Sequence, residues 1–412
     1  LLRSYETIVS SPSVKTFFQT RFQSILIDEF QDTNTIQYKW LQEIASDKTN
    51  VTAVGDDDQS IYGWRGAKVE HVNSFTKDFK DTEIIRLEQN YRSTNIILNA
   101  ANALIDNNKD RLGKNLWTEK TEGEQIVLYQ AYNEQDEARF VADVLNDWMN
   151  KGGAYEEAAV LYRSNAQSRA IEEALLRVSI PYRIYGGLRF YERLEIKNAI
   201  AYLRVIFNNN DNPSFERSIS NPTRGVGEKT LAKIRHAAKQ YNISYIKASA
   251  KLIDEGSISG RGGSGLRDYL EFIAGCKSFI EENLLSELME LIIKESGLYA
   301  YHGKEPGEKG KTRTENLEEL ITATKNFEQS IKEEKSNIEI AENYLDIISL
   351  DSGERQASEH DDAAQLMTMH SAKGLEFKLV LLTGLEESLF PHGRSMESAS
   401  QLEEERRLCY VA

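Results

Sequence analysis

Two adjacent carboxylates at the end of an apolar run are the first residues in this chain whose type and spacing point to chemistry: Ile25-Leu26-Ile27 leads directly into Asp28-Glu29. Magnesium takes oxygen ligands and keeps several waters, so one carboxylate beside nucleotide phosphates is a usual way to hold it. In nucleotide triphosphatases a strand-end Asp holds the metal and a neighbouring acid orients the attacking water. On that reading Asp28 is the metal ligand and Glu29 the base. Two solvated acids in a turn would look the same in sequence, and the residues alone leave both open. Gln59 follows a second apolar run, residues 51–54, and its amide can reach a phosphate or the attacking water.

Tyr62, Trp64 and Arg65 stand a few residues further on. An aromatic side chain on a loop can stack a base, at roughly 1–3 kcal/mol per base and without reading sequence. A bare Trp is more often core. Tyr91 next to Arg92 makes a compact nucleotide clamp, with a guanidinium able to stabilise charge on phosphoryl oxygens; the other reading is a packing pair at a helix start. Arg163 and Asn165 end another apolar run and are candidate phosphate contacts for a single strand. Pro222 to Thr230 resembles a helix-hairpin-helix turn. In it Gly225 and Gly227 let the backbone approach a phosphate and the next helix offers free N–H groups, unless it is an ordinary glycine-punctuated turn.

The elements that must position these groups follow from periodicity. Ile25–Ile27, Val51–Val54, Ala159–Tyr162 and Leu379–Leu382 are short apolar runs ending in polar clusters. Continuous apolar strands alternating with helices predict parallel α/β sheets covered on both faces, with ligands beyond the carboxyl ends of the strands. From about Gly187 to about Arg355 apolar residues recur at helical spacing, as in Ile196, Ile200, Leu203 and Phe207, and no strand is expected. Gly260–Gly265 and Lys304–Arg313 read as mobile loops within that stretch. The β-type pattern returns near Asp361, so the simplest account is an α/β domain split by a long helical insert.

A length of 412 residues argues for two or three domains, and 40% apolar with 28% charged residues is a globular composition. No apolar run of membrane-spanning length occurs, so no membrane association is expected. Cys276 and Cys409 have no CxxC partner, which excludes a disulfide framework or a cysteine zinc site and suits a reducing, cytoplasmic setting. A net charge of −15 argues against coating nucleic acid by bulk charge, but leaves room for a local groove that holds a strand by stacking.

Five segments together carry a resemblance. Asp28 to Asn34, Val54 to Ala67, Leu87 to Thr94, Thr368 to Phe377 and Glu403 to Ala412 resemble, in order, the second to sixth signature motifs of superfamily one DNA helicases of the UvrD/Rep/PcrA kind. The resemblance implies two RecA-like parallel-sheet motor domains, an α/β fold, with a mostly helical insert in the second. It divides the chain into the end of a helical subdomain (1–20, read as one last helix), the first motor domain (21–87), the second (88–186), the insert (187–358) and the second motor domain resumed (359–412).

For the residues, the resemblance implies that Gln59 senses the γ-phosphate, Tyr91 stacks on adenine and Arg92 acts as an arginine finger. Gly374 and Glu376 approach the nucleotide, Trp64 stacks an exposed base, and His370 links the nucleotide side to the DNA side. ATP and Mg2+ are the implied cofactors. Single-stranded DNA and its junctions with duplex are the implied substrate, with 3′-to-5′ travel. MutL-like and UvrB-like repair proteins are implied partners, and a nucleoid-associated, bacterial setting the implied location. No GxxxxGK[ST] occurs in these residues, and Leu1 is not an initiator Met. In the resembled family that loop lies upstream of the acidic motif, so the expectation is a parent helicase whose present piece hydrolyses ATP poorly. Two rivals remain: a metal-dependent nuclease built on Asp28, Glu29 and Asp56-Asp57-Asp58, and a non-catalytic DNA-binding scaffold.

Overall fold

The computed structural model describes residues 1–109, 111–185, 187–331, 335–351 and 361–412. The chain gathers into two compact units. The first comprises Leu1–Glu137, Glu157–Arg163 and Met367–Ala412, and the second Ala138–Glu156 and Ser164–Leu366. The expected boundary at residue 358 lies outside the described residues.

Six strands are described: β1 Ser24–Ile27, β2 Asn50–Ala53, β3 Ala158–Tyr162, β4 Tyr182–Ile184, β5 Ala364–Thr368 and β6 Leu379–Leu382. In the first unit β1 and β2 run parallel with Ile25 opposite Val51 and Ile27 opposite Ala53. Their inner side chains pack against Phe30, Tyr38, Leu41 and Phe75, contributed largely by the helices Thr35–Ile44 and Glu70–Asp78. The first of these helices starts cleanly because Asn34 and Gln37 form a reciprocal capping box. Only one face is covered. Leu26 points the other way and is 80% exposed, so the expectation of two covered faces fails for this pair. Side chains alternate along a strand, and helices pack on one side alone.

β3 and β6 are also parallel, Ala158 opposite Leu379 and Leu161 opposite Leu382. Every residue of β3 is buried, as a parallel strand covered on both faces requires. Ala159 and Leu161 join Ile61, Met367, Met369, Phe390 and Leu408 in the second cluster of this unit. Leu408 arrives on the helix Ala399–Val411.

The first twenty residues form two helices, Leu2–Ser10 and Pro12–Arg21, where one was expected. Ser11 is extended, and Pro12 has no N–H to continue a helix but fits the first turn of a new one.

In the second unit β4 pairs parallel with β5, Tyr182 opposite Ala364 and Ile184 opposite Leu366. The described residues between 187 and 351 contain no strand, in line with the periodicity. Their helices share one apolar core that includes Ile196, Leu203, Phe215, Ile234, Tyr269 and Leu288.

Two expectations are corrected here. Gly260–Gly265 is not a loop but the first turns of the helix Gly260–Glu282, and residues 308–313 open the helix Glu308–Ser330. The glycines serve close approach: a Cβ on Gly265 would stand 2.0 Å from the Arg224 carbonyl oxygen, and one on Gly262 would stand 3.1 Å from that of Gly225. Glycine at these places lets a helix end pack on a neighbouring turn.

Candidate functional site

Asp28 and Glu29 follow β1 and are exposed. Glu29 adopts the left-handed conformation, φ 49°. A non-glycine residue there costs on the order of 1–3 kcal/mol and persists where its surroundings hold it. They do so here. The carboxylate of Asp28 accepts the Glu29 N–H at 2.9 Å. Gln31, 1% exposed, donates its amide to Glu29 Oε2 at 2.6 Å and accepts the Asp56 N–H at 2.9 Å. Lys373 Nζ lies 3.1 Å from Glu29 Oε2, 2.6 Å from Asp32 Oδ2 and 3.0 Å from the Gln59 carbonyl oxygen, with the Tyr62 ring 5.4 Å away. Burial raises the Asp32 pKa even against this ammonium.

The three aspartates after β2 are each already engaged. Asp58 accepts both Arg111 Nε (2.8 Å) and Nη2 (2.9 Å), Asp57 accepts the Leu112 N–H at 2.8 Å, and Asp56 pairs with Lys114. Burial pushes Asp57 up, while donating hydrogen bonds to the Asp58 carboxylate holds Arg111 above its ordinary value. Asp56 also accepts the Gln59 side-chain amide at 2.7 Å. A trio of acids is the type of group that holds a metal, but these have drawn in a guanidinium, an ammonium and a backbone N–H instead.

Beyond Gln59 the residues 63–65 form a single tight turn closed by Gly66 at φ 85°, a conformation glycine adopts freely. The turn presents Trp64, 46% exposed, with the Arg65 guanidinium 4.4 Å from its ring centre and 4.6 Å from that of Tyr62. His370 stands edge-on to Trp64 at 6.4 Å, and its carbonyl accepts the Tyr62 hydroxyl at 3.2 Å. Burial, with Arg163 and Arg65 nearby, pulls the His370 pKa down to about 4, so the ring is neutral at neutral pH. The result is an open aromatic surface edged by a cation, a form suited to stacking bases.

Tyr91 is exposed and donates its hydroxyl to Gln89, while Asn90 Oδ1 accepts the N–H groups of Arg92 and Ser93. Arg92 Nε reaches Glu376 at 2.9 Å, so these two expected nucleotide-side residues come together as an exposed pair. Such pairs contribute little to stability and are free to exchange partners. Gly374 has φ 83° and open space around it.

Arg163 is engaged: its guanidinium binds Glu405 through contacts of 2.7–3.1 Å. Burial raises the Glu405 pKa, but the hydrogen bonds and charge of Arg163 outweigh it and keep the carboxylate below its usual range. A strand reaching Arg163 would meet a neutralised pair. In the second unit the Asn165 carbonyl accepts Arg193 at 2.7 Å and the Ser168 hydroxyl at 3.0 Å. Gly225 has φ 76°, and Gly227 caps the helix Glu228–Tyr241 as a hairpin turn requires. Every expected site residue except Asn165, Gly225 and Gly227 belongs to the first unit.

Gln31, Lys373, Arg111 and Lys114 went unread as site residues. Gln31 and Lys373 lie inside the motif segments and were legible there. Arg111 and Lys114 look like ordinary surface charges in sequence.

The chain resembles known proteins along nearly its whole length. Residues 85–258 and 267–412 match the UvrD-like helicase C-terminal domain, and residues 1–80 match the UvrD/REP helicase N-terminal domain. The chain is 51% identical over 411 residues to DNA helicase II of Escherichia coli K12, covering 100% of this chain and 57% of that protein. It is 52% identical over 411 residues to DNA helicase II of Haemophilus influenzae, covering 56% of it. It is 42% identical over 407 residues to ATP-dependent DNA helicase PcrA of Staphylococcus aureus, covering 97% of this chain and 54% of that protein. The chain thus spans a little over half the length of these relatives.

Proposed function

Because the chain belongs to the UvrD-like helicase family, we propose that it forms part of an ATP-dependent DNA helicase moving on single-stranded DNA. The observation that carries this is the position of Lys373. One ammonium touches the Glu29 carboxylate and the Gln59 carbonyl and lies over the ring of Tyr62, which adjoins the Trp64–Arg65 surface. A group in that place couples a change at the phosphate end to a change at the base-stacking end.

On this reading Asp28 holds Mg2+. Its carboxylate is exposed, and the only donor to it among the described residues is the Glu29 N–H, so it suits a cation that keeps its waters. The ion, when bound, neutralises phosphate charge. Glu29 orients the attacking water, Gln59 reads the γ-phosphate, Tyr91 stacks the adenine and Arg92 leaves Glu376 for the phosphate as the nucleotide arrives. Gly374 and Glu376 border the nucleotide. Trp64, with Tyr62 and Arg65, holds bases, His370 links the nucleotide side to the DNA side, and Asn165, Gly225 and Gly227 meet the DNA backbone, with Arg163 contributing once Glu405 releases it. The domain limits at 20, 87, 186 and 358, 3′-to-5′ travel, a cytoplasmic setting at the nucleoid, and repair work with MutL-like and UvrB-like partners belong to the same proposal. No described helix is long and apolar enough to cross a membrane.

The nuclease alternative loses its basis where Asp56, Asp57 and Asp58 are filled by Lys114, Leu112 and Arg111. The test is ATP hydrolysis, with and without single-stranded DNA, by the chain extended to the length of its relatives. DNA-stimulated turnover that disappears with Glu29→Gln and with Arg92→Ala is the expected result. DNA binding that is unchanged by nucleotide, with no turnover, would replace this proposal with the scaffold reading.

A further inference from the structure

Asp56 occupies a junction that none of the roles above uses. One carboxylate oxygen, Oδ2, accepts the Gln59 amide at 2.7 Å. The other accepts the Asp58 N–H at 3.0 Å and the Lys114 ammonium. Its backbone N–H donates to Gln31 Oε1 at 2.9 Å, and the opposite end of that buried amide holds Glu29 Oε2 at 2.6 Å. An unbroken chain of contacts therefore runs from Lys114 through Asp56 to Gln59, and from Asp56 through Gln31 to Glu29.

The chain of contacts is built into the packing. A Cβ on Gly55 would stand 2.6 Å from Gln31 Oε1 and 3.2 Å from the Phe30 N, so the space taken by the Gln31 amide exists because residue 55 is glycine. Lys114 is 16% exposed and Asp56 22% exposed in their side chains. The segment carrying Lys114 is pinned on both flanks: before it Arg111 is bound to Asp58 and Asp106, and after it the Asn115 N–H donates to Glu88 and the Leu116 carbonyl accepts the Asn102 amide. Charge-assisted contacts of this kind fix orientation as well as charge.

We infer that Asp56 and Gln31, anchored by Lys114, are positioning residues that set Gln59 and Glu29 together from one junction. A hydrogen-bonded carboxylate of fixed direction ties up the donor face of the Gln59 amide until phosphate competes for it. The same junction aims the Glu29 carboxylate through an amide that cannot rotate in its buried slot. A shift of either group by an ångström is worth on the order of 100-fold in rate.

This inference rests on Glu29 and Gln59 serving nucleotide hydrolysis, and its test separates the two claims. In the extended chain, Lys114→Met and Gln31→Met are expected to lower kcat by about 10- to 100-fold, with KM for ATP and the affinity for single-stranded DNA changed less than about two-fold. Lys114→Arg, which keeps the charge on Asp56, is expected to restore most of the turnover. Glu29→Gln is the control for the underlying reading: if it leaves turnover intact, the assignment of Glu29 itself is wrong. If Glu29→Gln is inactive while folded Lys114→Met and Gln31→Met turn over at the parent rate, the positioning claim is overturned. Should either methionine variant fail to fold, thermal melting of the 412-residue chain decides. Gly55→Ala is expected to destabilise less when Gln31→Ala is also present, and additivity of the two would remove the slot on which the inference depends.

Discussion

The two units of this chain differ in the size of their apolar cores. In the second, helices between residues 194 and 351 bury one continuous apolar cluster, with Ile196, Leu203, Tyr269 and Leu288 all fully enclosed. In the first, the buried apolar residues among those described include smaller clusters, such as those around Phe30 and around Leu161. There the site residues are joined by ion pairs and buried amides: Arg111 with Asp58, Lys114 with Asp56, Lys373 with Glu29 and Asp32, Arg163 with Glu405. An apolar core is tolerant, because dispersion and burial are spread over many contacts. A polar junction is exacting: removing one partner strands the other in a place water cannot reach. On the proposed reading, the region that responds to a phosphate is the one whose site residues are joined by groups a phosphate can rearrange.

The sharpest way to break this contrast is Arg111→Met. Asp58 is 1% exposed and would keep only Lys114 at 3.6 Å, so the loss is expected near 3–5 kcal/mol. Hydrogen exchange should show it confined to the first unit; a loss under about 1 kcal/mol would mean the junction carries no weight. Leu288→Ala, at a fully buried position, is expected to cost about 2–5 kcal/mol and to raise exchange in the second unit alone.

A smaller effect distinguishes the buried imidazole. The His370 pKa lies at about 4 in the folded chain against an ordinary 6.5, so between those values the unfolded state binds more protons. Stability therefore falls as pH drops through that window, by roughly 3 kcal/mol at most. Chemical denaturation from pH 7 to pH 4 should show this slope, and His370→Gln should lack that share of it. The smallest expected change is in the exposed aromatic surface. Trp64→Ala should weaken binding of an oligothymidine by about 1–3 kcal/mol with no change in melting, and Trp64→Phe should keep most of the affinity. Equal affinity in Trp64→Ala would place the bases elsewhere.

Reading the residues in order was enough to find β1, β2, β3 and β6, because short apolar runs ending in polar clusters are a local signal. It also found the long helical stretch, whose period is written in positions such as Ile196, Ile200 and Leu203. Glycine misled it. Gly260–Gly265 carries the composition of a loop, and only the nearness of Arg224 and Gly225 shows that those glycines admit close packing at a helix start. Arg163 was read as a phosphate contact, since nothing adjacent in sequence announces that Glu405, 242 residues away, pairs with it.

What the sequence determined by itself is therefore the inventory: an acidic strand end, a glutamine after the next strand, an aromatic turn, a tyrosine–arginine pair, and the family to which their order belongs. Those are matters of residue type and short-range spacing, which the chain carries wherever it goes. What only the tertiary structure decided is how the charges are spent. Lys373 meets Glu29, Lys114 meets Asp56 and Glu376 meets Arg92 across separations of 344, 58 and 284 residues. A charge has no directional preference until the fold chooses its neighbours.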